Sequence, residues 1–334
     1  MQTWVTCLLS ATCGSPAGNQ AGLRPLHALT ICIRLGESYQ KVHRRLLKFI
    51  GLLFLLLFFL PLSLRAALYL FDDQTPSDYS YDVGTADMSS IGLLQPAESH
   101  PAARVLIMSV PMSGKRGQFL THSWVVLKPE NARSWSRYDV LGYASRDGTG
   151  ARNGAWLGNR PTLNRYPPDG RWFGRTPVVI ADIEGTTAAA AIGKINGVIE
   201  NYETLAGHYR FWPGPNSNTF VAAVVRAAPE LRASLPPTAI GKDFRPGVFL
   251  GLTNSRTGAE AGLLGVVGLK VGWIEGLEIN LFGFVAGLDL RQPALKLPGF
   301  GQIDVGPRSA IARPNNGEVR LSADRPTPAF QSVY

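Results

Sequence analysis

Residues 49–64 form a run of sixteen positions without a charged side chain, FIGLLFLLLFFLPLSL. Together with Leu46 and Leu47 before it and AALYLF after Arg65, the run is long enough to cross a hydrocarbon core of about 30 Å. A core helix of a soluble protein usually keeps a polar face, and this run has none. The sequence therefore predicts one transmembrane helix over residues 46–70, with Lys48 and Arg65 reaching the two membrane interfaces.

The charges on the two flanks of this run set its expected orientation. The basic residues before it and the acidic residues after it are Lys41, Arg44, Arg45 and Lys48, then Asp72, Asp73 and Asp78. By the positive-inside rule, residues 1–45 are expected to be a cytoplasmic tail, without regular structure, and the rest of the chain is exported. No small-residue cleavage site lies near Arg65, so we expect an uncleaved anchor.

The net charge of +9 does not indicate nucleic-acid binding, because most of the excess lies beside the anchor. Residues 1–65 hold seven Lys or Arg and one acid, whereas the rest of the chain holds 26 basic and 23 acidic residues. The three cysteines, Cys7, Cys13 and Cys32, all precede the anchor, so the exported part has neither a disulfide nor a thiol nucleophile. No metal-ligand spacing and no nucleotide-binding glycine motif is present, and we expect neither metal nor cofactor.

Beyond the anchor the pattern predicts a spacer over 71–100, an exported α+β domain over 101–310 with a Gly-rich β C-terminal part, and a flexible tail over 311–334. Apolar runs in ARVLIMSVP, THSWVVLKP, WSRYDVLGYAS and PVVIADIEG predict strands of an antiparallel sheet. Apolar spacings of three and four predict helices over 186–203 and 217–228 that pack on this sheet. Residues 146–176 are expected to form a long loop. Residues 265–297 are either a hairpin that closes the core or an apolar surface against a membrane or a partner.

Two segments of the exported part hold residues suited to catalysis. His122 lies in a predicted strand, and the segment PGPNSNTFV places Ser217 in the first turn of a helix, where free N–H groups and the helix dipole favour an anion. The same Asn-Ser-Asn-Thr sequence is also a good helix cap.

Several segments resemble a bacterial family catalogued as domain of unknown function 3750. They are HSWVVLKP, SRYDVLGYAS, FWPGPNSNTFVAAVVRAAPEL and LPPTAIGKDF, within His122 to Phe244. The resemblance implies a bacterial inner-membrane protein whose main domain is periplasmic, but no activity. A more distant likeness is to permuted papain-like folds, in which a histidine strand, a polar orienting residue and an Asn-Cys-x-x-Phe helix start follow in that order. His122, Asp139 and Ser217 match these positions, with serine where those enzymes have cysteine.

Two functions follow from this likeness, and the sequence favours the first. It is a non-catalytic papain-like domain that binds an envelope ligand, because serine is the weaker nucleophile and no oxyanion donor can be named with certainty. The alternative is a hydrolase or acyl transferase with Ser217, His122 and Asp139 acting on an amide or ester. Further residues expected to line the groove are Asn216, Asn218, Trp124, His208, Trp212, Lys242 and Asp243.

Arginines between residues 133 and 175 give an expectation about the ligand. They are Arg133, Arg137, Arg146, Arg152, Arg160, Arg165, Arg171 and Arg175. Arginine pairs with carboxylate and phosphate, so an anionic lipid of the bilayer or a peptidoglycan peptide is the ligand that these residues would suit. The alternative, which the sequence favours, is that the arginines form a solvated loop surface. Protein partners are not indicated by any motif.

Overall fold

The computed structural model describes residues 40–71, 86–144, 155–289 and 291–305. The chain divides into two units, 1–59 and 60–334. The long helix α1, Gln40–Phe71, is long and apolar enough to cross a membrane, and almost all of its side chains are exposed. It contains a π-helical stretch, Leu55–Phe59. The predicted apolar helix is therefore present. Residues 1–39 of the expected 1–45 tail lie outside the described residues.

The first sheet of the second unit has the strand order β4-β3-β2-β1-β5, with antiparallel pairing throughout. Its strands are β1 Arg104–Pro111, β2 Thr121–Lys128, β3 Ser136–Ala144, β4 Ala155–Leu163 and β5 Val178–Glu184. Two helices follow β5 in the chain, α2 Gly185–Ala206 and α3 Ser217–Ala227. The expected α+β class and the antiparallel sheet packed on helices are confirmed.

Strand β1 is buried on both faces because both sides of the sheet are covered. Val105 and Ile107 belong to the core cluster that contains the inward faces of α2 and α3. Leu106 and Met108, which point to the opposite face, belong to a second cluster rich in tryptophan. A continuous apolar run such as RVLIMSVP is typical of a strand covered in this way.

A second sheet follows α3 and is an antiparallel meander of seven strands with the order β12-β11-β10-β9-β8-β7-β6. Its strands are β6 Val248–Leu252, β7 Gly258–Leu263, β8 Val267–Gly272, β9 Gly276–Leu281, β10 Phe284–Asp289, β11 Ala294–Leu297 and β12 Gly301–Asp304. It is thus much larger than the single hairpin considered for residues 265–297.

Two expectations about the connecting segments were wrong in part. Residues 146–176 are not a continuous loop, because β4 pairs with β3 inside this range. Residues 86–100, placed in the spacer, pack on the domain: Met88, Leu93 and Leu94 contact the second core cluster, and Asp169 accepts hydrogen bonds from Leu93 and Leu94. The Gly and Pro content of both segments conceals these long-range contacts. The predicted tail 311–334 lies outside the described residues.

Candidate functional site

The structure brings three predicted residues together at the start of α3. His122 lies near the beginning of β2, Asp139 lies on the neighbouring strand β3, and Ser217 is the first residue of α3. Ser217 Oγ lies 3.0 Å from His122 Nδ1, and His122 Nε2 lies 2.9 Å from Asp139 Oδ1. A hydroxyl, an imidazole and a carboxylate therefore form one hydrogen-bonded chain.

The start of α3 is fixed by Asn216, its N-cap. The Asn216 side chain accepts hydrogen bonds from the N–H groups of Asn218 and Thr219, and Thr219 Oγ1 accepts from the Asn216 N–H in return. The Asn216 amide group also donates to the carbonyl oxygens of Phe211 and Ile240. This reciprocal cap orients the first turn of α3 and with it the Ser217 side chain.

Gly241 is required where it packs on this cap. Its φ of +88° lies in the region that favours glycine. A Cβ atom at this position would also lie 2.3 Å from Asn216 Nδ2. The AIGKDF segment therefore needs glycine to let its backbone approach the cap.

Asn218 holds α3 against β2. Its amide group donates to the carbonyl oxygens of Thr121 and Ile240 at 3.0 and 2.8 Å. Because Thr121 directly precedes His122, this contact ties the nucleophile-bearing turn to the histidine strand. With both amide hydrogens donated to carbonyl groups, Asn218 is a positioning residue.

Asp139 is held ionised although it is buried. Burial raises the pKa of its carboxyl group, but the neighbouring Arg137 guanidinium and the hydrogen bond to His122 outweigh burial, and the pKa lies below its ordinary value. Arg137 Nε donates to Asp139 Oδ2 at 2.6 Å. The second oxygen, Oδ1, lies 2.9 Å from His122 Nε2 and also accepts a longer hydrogen bond, of 3.4 Å, from Arg137 Nη2.

Tryptophan rings surround these groups. The His122 ring stacks on Trp172 with centroids 4.4 Å apart, and the Arg137 guanidinium lies 3.8 Å from the centroid of Trp124. Trp124 is fully buried and its Nε1 donates to the carbonyl oxygen of Pro168, so it supports the site from within the core. Stacking restricts the His122 ring to the plane in which both of its nitrogens are bonded.

The triad is nearly enclosed by protein. Ser217 and His122 are 7% and 6% exposed, and Asp139 is 1% exposed. Low exposure removes water from the carboxylate and the imidazole, which strengthens the interactions between them.

Two other predicted residues lie in the connection between α2 and α3. His208 is exposed, and in the part of the chain that the structure describes it forms no hydrogen bond with the triad. Trp212 is partly exposed, and its Nε1 donates to the carbonyl oxygen of Phe282 in the second sheet at 2.8 Å. Trp212 therefore joins the segment before α3 to that sheet.

Lys242 and Asp243 belong to a buried charge network and not to the triad. Lys242 Nζ contacts Asp243 at 3.0 Å and Glu278 at 2.5 Å, and Glu278 also accepts from Lys296 at 2.6 Å. Asp243 in addition pairs with Lys270. Burial lowers the pKa of the Lys242 ammonium group. The negative charges of Asp243 and Glu278 have a larger, opposite effect, so the pKa of Lys242 lies above its ordinary value. The network joins the AIGKDF segment to the buried face of the second sheet, on which Lys270, Glu278 and Lys296 lie.

The sequence analysis missed two residues of the site, Arg137 and Trp172. Arg137 was counted among the arginines expected to contact a ligand, whereas it is fully buried against Asp139. The signal was available: the two residues are separated by one position in a strand, so both point to the same face. No comparable local signal connects Trp172 with His122, 50 positions earlier in the chain.

Within the described ranges no cluster of three His, Cys, Asp or Glu side chains is arranged to hold a metal ion. The buried carboxylates pair instead with cationic side chains of the protein, among them Arg137, Lys242, Lys270 and Lys296.

The fold and site define a class: an α+β domain that presents a serine from a helix start to a buried histidine and carboxylate. Residues 102–244 match the model of the family described as "Protein of unknown function (DUF3750)", and over this segment the chain is similar to that family. Searches of the curated proteins and of the solved structures gave no significant match. The matched segment includes all three residues of the triad.

Proposed function

We propose that this protein is a membrane-anchored serine hydrolase or acyl transferase that acts on an amide or ester of the cell envelope. The observation that carries the proposal is the 3.0 Å separation between Ser217 Oγ and His122 Nδ1, with Asp139 on the other ring nitrogen. A nucleophile bonded to a base that is itself oriented by a third group is the arrangement that covalent catalysis by serine requires.

The state of Asp139 assigns the roles of the two imidazole nitrogens. An ionised carboxylate only accepts hydrogen bonds, so His122 Nε2 carries the hydrogen that is donated to Asp139. In the neutral ring Nδ1 then has a lone pair directed at Ser217. In chymotrypsin Nε2 faces the serine and Nδ1 faces the aspartate. Here Nδ1 faces Ser217 and Nε2 faces Asp139, but the imidazole has the same two functions, as a base for the serine and as a donor to the carboxylate.

In the first step Ser217 Oγ attacks the substrate carbonyl carbon while His122 Nδ1 takes the hydroxyl proton. The new C–O bond forms as the carbonyl π electrons move to the carbonyl oxygen. When this oxyanion collapses, the bond to the leaving group breaks, and His122 returns the proton to the departing amine or alkoxide. The product is an acyl ester on Ser217, and Asp139 stabilises the imidazolium while it exists.

The oxyanion needs a donor, and α3 supplies one. In the first turn the N–H groups of Asn218 and Thr219 bond to the Asn216 side chain, and the Phe220 N–H bonds to the Asn216 carbonyl. The N–H of Ser217 itself is the one that this cap does not use. It lies at the positive end of the helix dipole, where negative charge is favoured.

In the second step an acceptor attacks the acyl ester with His122 as its base. Water as the acceptor makes the protein a hydrolase, and a hydroxyl or amine of a second envelope component makes it an acyl transferase. The enclosure of Ser217 favours transfer, since limited access for water protects an ester from hydrolysis.

The cellular location proposed with this activity rests on α1 and its flanks. The helix is of spanning length, and the basic residues before it favour a cytoplasmic N-terminus with the α+β unit in the periplasm of a bacterial inner membrane. An anionic lipid or a wall peptide is the proposed substrate class. The order of histidine strand, orienting strand and nucleophile helix supports the proposed papain-like relation.

A non-catalytic function in binding an envelope ligand is the second candidate. It is favoured by the low exposure of Ser217 and by the place of its hydroxyl in a closed chain of hydrogen bonds. In that case Ser217 acts as part of the helix start and contacts a ligand without attacking it.

Labelling with a fluorophosphonate probe separates the two candidates. We expect the full-length protein in detergent to be phosphonylated on Ser217, with loss of labelling in Ser217→Ala and His122→Ala. Ser99→Ala is the matched control, because Ser99 is an exposed serine that bonds only to the carbonyl oxygen of Pro96. If the folded wild-type protein is not labelled, the hydrolase proposal fails and the binding function takes its place.

A further inference from the structure

In the second sheet an apolar face points to solvent, whereas the charged face is buried in the protein. One face of the sheet is apolar, and it is most exposed on β6, β7 and β8, as in β6, where Val248 and Leu250 are 84% and 82% exposed. On β9, β10 and β11 the residues of this face are mostly half-buried. Ladder partners continue this face through Leu269 and Ile279 on the central strands. The outer face is thus made of aliphatic side chains from one edge of the sheet to the other.

The opposite, inner face of the same strands carries charges and is buried. Glu260, Lys270, Glu278 and Lys296 lie on it, and each pairs with an oppositely charged neighbour. Burying charges on one face while apolar side chains are exposed on the other opposes the usual arrangement of a soluble sheet. The outer face therefore requires an apolar partner.

The size of the outer face also indicates a partner. Seven strands at spacings of about 4.8 Å, each four to six residues long, give a face on the order of 500 Å². A contiguous apolar patch of this size is at the upper end of what a monomer exposes and marks an interaction site.

The two ends of the sheet differ in polarity. The turns β7–β8, β9–β10 and β11–β12 lie at one end because the meander is antiparallel, and they present Leu264, Phe282 and Phe300. The turns at the opposite end include Arg256 and Arg291, both exposed. One end is thus apolar, and the other carries exposed arginines together with the exposed Trp273.

The apolar end is the one that contacts α1. The Arg65 guanidinium lies 5.3 Å from the centroid of the Phe300 ring, and Arg65 Nε donates to the carbonyl oxygen of Gln118 at 2.9 Å. Both contacts lie inside the unit that begins at Leu60. Within this unit, Arg65 of α1 therefore lies beside the β11–β12 turn of the second sheet.

From these observations we propose that the outer face of the second sheet, with its apolar turns deepest, lies in the interfacial layer of the bilayer that α1 enters. The proposal rests on the membrane anchoring stated above and is independent of catalysis. Continuity with α1 favours a lipid surface over a second copy of the chain, since the helix already brings this end of the sheet to the membrane.

The backbone of the sheet is compatible with this position. The five inner strands are hydrogen-bonded on both sides, so their N–H and C=O groups need no water. The inner-face charges stay inside the protein and away from hydrocarbon. Trp273, exposed in the β8–β9 turn, is the kind of side chain that is enriched at headgroup level.

The test is quenching of a fluorophore by nitroxide-labelled lipids. The full chain, with its three cysteines replaced by serine, is placed in nanodiscs of phosphatidylethanolamine and phosphatidylglycerol. A nitrobenzoxadiazole probe is attached to one of the variants Leu250→Cys, Leu269→Cys, Leu56→Cys or Arg256→Cys. Leu56 lies in α1 and is the membrane reference, and Arg256 lies at the end with the exposed arginines and is the aqueous control.

We expect the probes at positions 250 and 269 to lose fluorescence to a similar extent as the probe at position 56, with no loss at position 256. Quenching at 56 but not at 250 and 269 would overturn the sheet proposal and leave the anchor intact. Cross-linking between two copies through Leu250→Cys, with no lipid quenching there, would also overturn it in favour of a dimer. Absence of quenching at 56 would refute the anchoring on which it rests.

Discussion

Arg137 and Asp139 form an ion pair inside β3, with 2.6 Å between Arg137 Nε and Asp139 Oδ2, and both side chains are almost completely buried. The pair leaves the other carboxylate oxygen to orient His122. Arg137 also donates to the carbonyl oxygen of Pro167 and stacks on Trp124. One arginine thus connects the triad to the tryptophan-rich core.

The Arg137→Gln variant is expected to lose about 3 to 5 kcal/mol of unfolding free energy, because it leaves a buried carboxylate without its charge partner. Urea denaturation followed by circular dichroism measures this. Arg104→Gln is the control: its pair with Asp182 is partly exposed, and a loss of at most about 1 kcal/mol is expected. Equal losses in the two variants would contradict the structural importance given to the buried pair.

The Ser217→Cys variant is expected to carry a reactive thiol. His122 and the N-terminus of α3 stabilise a thiolate, so the thiol pKa is expected at least about one unit below its usual value of about 8.5. The rate of alkylation by iodoacetamide as a function of pH measures it in a background without the native cysteines. Adding His122→Ala should return the pKa toward the usual value, and an unchanged pKa would separate His122 from the site.

The Lys242→Met variant tests the charge network on the inner face of the second sheet. Removing Lys242 leaves Glu278 and Asp243 with fewer partners in a buried position, so a loss of about 3 to 5 kcal/mol is expected in urea denaturation. Lys194→Met removes a more exposed lysine that pairs with Glu230 and should cost at most about 1 kcal/mol. A neutral Lys242→Met would mean that packing of the methionine replaces the ion pairs.

The stability of the protein is expected to fall in acid. In Asp139, Asp243 and Glu278 burial raises the pKa, but the neighbouring cations outweigh it and leave the pKa lowered in the folded state. Their stabilisation is complete above the ordinary values of 3.8 and 4.5 and is lost as the pH falls through the folded values. Midpoints of urea unfolding should be constant from about pH 6 to 8 and decrease below about pH 4. A midpoint that rises on acidification would contradict this sign.

The native cysteines provide a test of orientation, since all three precede α1. In bacterial cells with a permeabilised outer membrane, an impermeant maleimide should leave the wild-type protein unlabelled until the inner membrane is broken. Arg256→Cys, in the α+β unit, should be labelled in unbroken cells if the proposed orientation is right. The reverse pattern would place the α+β unit in the cytoplasm.

The sequence predicted those parts of the fold that have a local signal. The apolar run of α1, the helical spacing of α2 and α3, and the alternation around His122 and Asp139 are all readable within one element. Strand β4 was missed, because Arg160 and Pro161 interrupt any apolar period. The second sheet was underestimated, because glycines and charged residues occupy much of its inner face and interrupt the apolar alternation.

The predicted triad residues came from the likeness to permuted papain-like folds, but the contacts that support them could not be predicted in this way. The acceptors of the Asn218 amide are the carbonyl groups of Thr121 and Ile240, 97 and 22 positions away. Main-chain acceptors have no residue preference, so no pattern of side chains identifies them. Arg137 was assigned to a ligand because composition cannot distinguish an arginine buried beside a carboxylate from one in solvent.

The charge network indicates how far a shortened version of the protein must extend toward the C-terminus. The family match ends at residue 244, directly after Lys242 and Asp243, whereas their partners Lys270, Glu278 and Lys296 come later in the chain. A polypeptide ending at 244 would keep the triad and leave one lysine and one aspartate to neutralise each other without the sheet that encloses them. The smallest piece that can be expressed for biochemistry therefore has to extend to the end of β12.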